Sequence, residues 1–155
     1  MYKRQVLTPN ALAQADPHAG RAVFAGICAT CHTLYGEGGK IGPDLTGANR
    51  DNLDYLLENI ADPSAVVAPD FRMSLITLKD GRVLAGMVTA KNEHTLTLRT
   101  MTDVQTVERA EIGKIEESPL SMMPEGLLAA FTPEQTLNLF AYLMGHQQVE
   151  LPAAK

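Results

Sequence analysis

Cys28-Ala29-Thr30-Cys31-His32 is a C-x-x-C-H string, the spacing by which a c-type haem is attached to a polypeptide. Two thiols separated by two residues on an opening helical turn can each form a thioether to a haem vinyl group, and the next residue then sets its imidazole beneath the iron. Cys28 and Cys31 are the expected anchors of one covalent haem c, and His32 is the expected proximal ligand of its iron. Two rival chemistries share a C-x-x-C pair: a redox dithiol and half of a zinc site. A dithiol enzyme wants its motif at the start of a helix after a strand, whereas Ala19 to Ala29 reads as a helix running into the motif. A closed zinc site needs four ligands. Only His18, His94 and His146 remain as further strong candidates, scattered along the chain.

Working outward, Ala22, Val23, Phe24, Ile27 and Cys28 recur at helical spacing, so a first helix should carry its apolar face into the core just before the motif. Gly20 lies one turn before Phe24. It either lets another helix approach closely or merely starts this one. After the motif, Gly36 to Leu45 is loop chemistry, rich in residues that tolerate unusual backbone angles. Pro43 has no N–H to donate but keeps a free carbonyl, and a ligating His usually gives its second ring N–H to such a group. The Pro43 carbonyl is therefore expected to orient His32; the alternative is an ordinary turn proline. Asp51 to Ala61 carries a second helical pattern, with Leu53, Leu56, Leu57 and Ile60 on one face.

From Phe71 to Glu117 the period changes from helical to alternating. Met73–Leu78 and Val83–Val88 flank Lys79-Asp80-Gly81-Arg82, a hairpin signal, and short strands are expected at His94–Leu98, Val104–Val107 and Ile112–Ile115. Gly86 within a strand predicts a bulge or sharp bend. The chain closes with a well-bounded helix. Thr132 is the cap, Pro133 the first position, Gln135 the capping-box partner and Gly145 the stop.

A haem held by one His leaves the other face of the iron to a methionine, another histidine or nothing, and that choice separates an electron carrier from a ligand-binding haem. Met73 and Met87 sit in strand patterns, and Met144 fits the apolar face of the last helix. Met122 and Met123 lie in a proline-bounded loop, Ser118 to Gly126, and Pro124 biases Met123 toward an extended backbone. Met123 is the preferred second ligand, ahead of Met122, with His94 and His146 as fallbacks.

At 155 residues the chain suits one domain, or a small domain with an insertion. A formal charge of −5 argues against a nucleic-acid or anionic-membrane partner. Both cysteines are used by the motif, so no disulfide framework reports the compartment. Thioether attachment of haem points to an exported, periplasmic setting, yet Gln5 to Asn10 is no apolar signal core. The expectation is a truncated start or the tail of a larger exported protein. No apolar run is long enough to span a membrane.

Taken in order, the Gly20/Phe24 helix, the haem string, Gly42-Pro43-Asp44-Leu45, the Met123-Pro124 loop and the terminal helix ending Phe140-Ala141-Tyr142-Leu143 resemble a class I c-type cytochrome. More narrowly, the chain resembles the haem-binding domain that ends many large, exported, dehydrogenase-like bacterial proteins. Shared with that subtype are Asp62-Pro63-Ser64 after the middle helix, a strand-rich insertion and the Met123-Pro124-Glu125-Gly126-Leu127 loop. The resemblance implies His32/Met123 ligation, a Pro43 carbonyl bond to His32, and a terminal helix crossing the first at Gly20. It implies a mainly α cytochrome c fold, three or more helices around haem, with an inserted small antiparallel sheet or barrel, α+β overall. The expected organisation is a linker over 1–17, a cytochrome domain over 18–146 with the insertion at about 71–117, and a tail over 147–155. The insertion also resembles Sm-like small barrels, but it has few basic or stacking aromatic residues, so RNA binding does not follow. The expected role is electron carriage without catalysis, the partner being a redox protein or a fused dehydrogenase domain. The alternatives are a haem enzyme or gas sensor with an open sixth site, and a zinc-stabilised interaction domain.

Overall fold

A computed structural model describes residues 5–153. The chain divides into two compact units, one made by the chain up to Asp62 together with the chain from Glu125, the other by Pro63–Pro124.

The first unit is helical. Helix α1 spans Pro9–Gln14, α2 Pro17–Ile27, α3 Leu53–Ala61 and α4 Pro133–Leu143. Each begins on a side chain that accepts a hydrogen bond from a first-turn N–H: Thr8, Asp16, Asn52 and Thr132. At α4 the box is complete, since Gln135 returns a bond to the Thr132 backbone. Helix α2 crosses α4 at Gly20, where an added Cβ would overlap the Asn138 carbonyl oxygen, and one turn on the Phe24 and Tyr142 rings stand 5.5 Å apart. Asn138 also accepts the N–H of Asp16 at 2.9 Å, which ties the start of α2 to the same helix. Phe24, Leu34, Leu56, Leu128, Phe140 and Leu143 fill the core beneath this crossing. The stretch expected to be a linker contributes to that core: Leu7 is 2% exposed, and α1 lies within it.

The second unit is a five-stranded antiparallel sheet in the order β6-β5-β4-β3-β7, from β3 (Met73–Leu78), β4 (Val83–Lys91), β5 (Thr95–Arg99), β6 (Val104–Glu108) and β7 (Ile112–Glu117). Two-residue strands β1 (Thr33–Leu34) and β2 (Glu37–Gly38) pair in the helical unit. Alternation builds the core of the sheet: Ile76 and Leu78 are buried while Leu75 is exposed and Thr77 only partly buried, and Leu96, Leu98 and Val107 complete the cluster. Gly81 takes a positive φ in the β3–β4 turn. The irregularity expected near Gly86 lies a little further on, between Val88 and Ala90; at Gly86 itself an added Cβ would meet the Arg99 carbonyl oxygen at 2.6 Å.

The expectation of a mainly α fold is therefore corrected: the chain is α+β. Among the described residues no helix exceeds 11 residues, while the strands make a five-stranded sheet with its own buried core. The strand pattern was legible, but its weight was not. A hydrophobic cluster separate from the helical core makes Pro63–Pro124 a unit of its own rather than a decoration on a helical domain.

Candidate functional site

Helix α2 delivers the motif. It ends at Ile27, and Cys28–Thr30 continue as a tighter helical turn in which the Cys28 carbonyl accepts from both Cys31 N–H, at 3.1 Å, and His32 N–H, at 2.9 Å. The two sulfurs and the imidazole thus leave one turn of chain. Both cysteines are free and partly buried.

The following loop folds back over this turn. Gly39 N–H donates to the Ala29 carbonyl at 2.7 Å, Gly42 N–H to Cys31 at 2.8 Å, and Leu45 N–H to Thr33 at 2.8 Å. A Cβ on Gly42 would sit 2.7 Å from His32 Cε1, so the imidazole lies directly against a backbone that only glycine leaves open. His32 Nδ1 stands 2.9 Å from the Pro43 carbonyl oxygen. A carbonyl can only accept, so Nδ1 carries a proton, and Nε2 is the ring nitrogen left to act as a ligand. Beside this contact the Thr46 backbone N–H donates to Asp44 at 2.8 Å, and that bond holds the exposed Asp44 carboxyl below its ordinary range.

One residue of this unit escaped the sequence reading. Arg50 is 7% exposed, and its guanidinium donates to the carbonyls of Leu143, Gly145 and Thr46 and to the Tyr35 hydroxyl, with the charge 5.1 Å from the Tyr35 ring centre. Two of these acceptors lie at the C-terminal end of α4, where carbonyls lack helical partners. A lone arginine in a polar loop carries no sequence signal for such a role.

Of the predicted site residues, Cys28, Cys31, His32 and Pro43 come together in the helical unit. Met123 and Met122 belong to the other, at the end of Pro63–Pro124. Met123 is partly buried; its N–H donates to Ser121 Oγ at 3.1 Å, and Ser121 N–H donates to Ser64 Oγ at 3.2 Å, so the loop is pinned within its own unit. The remaining histidines are exposed: His94 precedes β5, His146 faces Asp51 at 3.4 Å, and His18 Nδ1 lies 2.8 Å from the Glu150 carbonyl.

The donor set fits a covalently held haem better than the rival chemistries. A dithiol enzyme needs a depressed thiol at a helix N-terminus. Cys28 instead follows the C-terminal end of α2, and burial, with the neighbouring Cys31 sulfur, pushes its thiol up to about 11. Among the described residues no three His, Cys, Asp or Glu side chains converge as a metal-ion site. A Cys pair on one turn, followed by an imidazole with Nδ1 engaged and Nε2 open, is the arrangement that haem attachment and iron ligation require.

Among the described residues no helix is long and apolar enough to cross a membrane. No curated protein matches the sequence. Among solved structures the chain has a likeness to the pleiotropic translational regulator Hfq, at 14% identity over 46% of this chain and 97% of that one, with a TM-score of 0.30. At that score the likeness carries no argument. Residues 17–76 match the family model described as Cytochrome c, from the first residue of α2 into β3, and this motif-bearing segment is what the chain shares with haem-binding c-type cytochromes.

Proposed function

We propose that the chain is a monohaem electron carrier, with haem joined through thioethers at Cys28 and Cys31 and its iron held by His32 and Met123. When bound, such a haem supplies an iron centre that moves between ferric and ferrous states. What the chain's own residues contribute follows from their chemistry. His32 offers Nε2 as ligand, while its Nδ1–H, given to the Pro43 carbonyl, fixes the tautomer and the orientation of the ring. Gly42, having no side chain, leaves the imidazole the space it occupies against the backbone. Cys28 and Cys31 become neutral thioethers, which suit their partly buried setting better than thiolates would. Met123 would add a soft thioether donor, which favours a higher reduction potential than a second histidine would.

The observation that carries this reading is the His32 contact with the Pro43 carbonyl at 2.9 Å, made by the residue that ends a C-x-x-C-H turn. It leaves Nε2 as the free donor atom on the ring. Support for Met123 is weaker in kind: its position in a loop pinned by Ser121 and Ser64, next to a proline. An exported location follows from the thioether chemistry, and the redox partner is a separate protein or a fused dehydrogenase domain.

The test is expression of the full chain as an exported protein in a bacterial host competent for c-type haem attachment. The expected result is one haem that acid–acetone does not extract, a low-spin spectrum in both oxidation states, and a ferrous form slow to bind carbon monoxide. Rapid carbon monoxide binding or a high-spin ferric spectrum would favour an open sixth site and overturn the carrier reading. Protein carrying zinc and no haem would overturn it altogether.

A further inference from the structure

Arg50 is a buried charge with an unusual set of partners. Among the described residues no carboxylate pairs with it, and four hydrogen bonds compensate it instead, three to backbone carbonyls and one to a phenol. Its Nε has no partner. A side chain chosen only to cap α4 would need one or two carbonyls; this one also reaches Thr46 and Tyr35. Those two residues are themselves joined, since Tyr35 N–H donates to Thr46 Oγ1 at 2.9 Å, and they bracket the segment that holds His32. Tyr35 sits in the β1–β2 turn, three residues after His32, and Thr46 is three residues beyond Pro43. On the Pro43 side, the loop is otherwise fixed by Gly42 N–H to Cys31 and Leu45 N–H to Thr33.

We infer that Arg50 is a positioning residue for His32: by clamping Thr46 and Tyr35 to the carbonyls at the end of α4, it holds the Pro43 carbonyl against the imidazole Nδ1–H. The inference rests on the reading of His32 as an iron ligand for its significance, though not for its geometry. The guanidinium suits the task because its rigid fork reaches several acceptors at once; a lysine ammonium on a flexible stem keeps the charge but not the fork. Glutamine keeps planar donors without leaving an unpaired buried charge.

The experiment compares the full-length haem-bound protein with R50K and R50Q in the ferrous state, reading solvent exchange of the His32 Nδ1 proton by NMR relative to the Phe140 amide in the core. General destabilisation accelerates both protons together, whereas loss of positioning accelerates the imidazole proton selectively. The ratio is expected to rise roughly tenfold in whichever variants fold. A ratio within about twofold of the parent in a folded variant would overturn the inference, because the Gly42 and Leu45 bonds would then suffice to hold the loop. Should the parent chain take up no haem, the electron-carrier reading fails separately, and 15N shifts of His32 in the haem-free full chain decide the matter for Arg50. A parent that favours the Nδ1–H tautomer and variants that move toward Nε2–H would support it; the same tautomer in all three would overturn it.

Discussion

Phe140 in the helical unit and Ile76 and Leu98 in the sheet are all fully buried, but their surroundings are built in opposite ways. Around Phe140 the chain relies on close backbone approach: Gly20 against Asn138, Gly42 against the His32 ring, and Arg50 threaded among carbonyls. Around Ile76 and Leu98 it relies on repetition, with alternate residues of paired strands pointing inward and the register carried through five strands. The helical unit therefore depends on a few positions that admit no side chain or no substitute. The sheet spreads its stability over many interchangeable apolar contacts.

The largest expected effect follows at Gly20. Gly20→Val would drive a side chain into the α4 backbone, at a cost of about 3 kcal/mol or more, and the helical unit should lose its protection from amide exchange. The Ile76 and Leu98 amides should keep theirs. If both units lose protection together, the contrast drawn here is wrong. In the other direction, Leu98→Ala should cost the sheet roughly 2–5 kcal/mol and leave Leu139 and Phe140 protected, which the same exchange experiment reads.

A smaller effect concerns the motif before haem is attached. Burial, then the neighbouring Cys31 sulfur, raises the Cys28 thiol from an ordinary 9.0 to about 11. The folded chain thus favours the neutral thiol, and this contribution to stability is full below the ordinary value and is lost as pH rises through about 11. At pH 9 only about 1% of Cys28 should be thiolate, and alkylation located by peptide mapping should be tens of times slower than for a free thiol. A labelling curve with its midpoint near the ordinary value would contradict the burial. Once the thioether forms, this pH dependence disappears.

The contrast between the units also explains what could be read from the sequence. Strand periodicity, the Asp80-Gly81 turn and the Thr132/Gln135 capping box are local patterns, and the structure has strands at Met73–Leu78, Val83–Lys91 and Thr95–Arg99 with the box closed. C-x-x-C-H is local as well. Arg50 was invisible because its acceptors at Leu143 and Gly145 lie 93 and 95 residues away. Leu7 looked like part of a polar arm because a single buried leucine has no period. The fold class was misjudged for a related reason: the pattern told where strands lie, but not that their inner faces would close a core independent of the helices. Met123 entered through its proline-bounded loop and through resemblance, not through any local sign of iron ligation.

Met123 is the part of the proposed ligation that rests least on local geometry, its support being a loop pinned by Ser121 and Ser64. The most direct test is the ferric spectrum of the haem-bound parent, Met123→Ala and Met122→Ala. The account predicts a sulfur-to-iron charge-transfer band in the parent and in Met122→Ala, and its loss in Met123→Ala with the haem still covalently attached. A band that survives in Met123→Ala, or that disappears only in Met122→Ala, would contradict it.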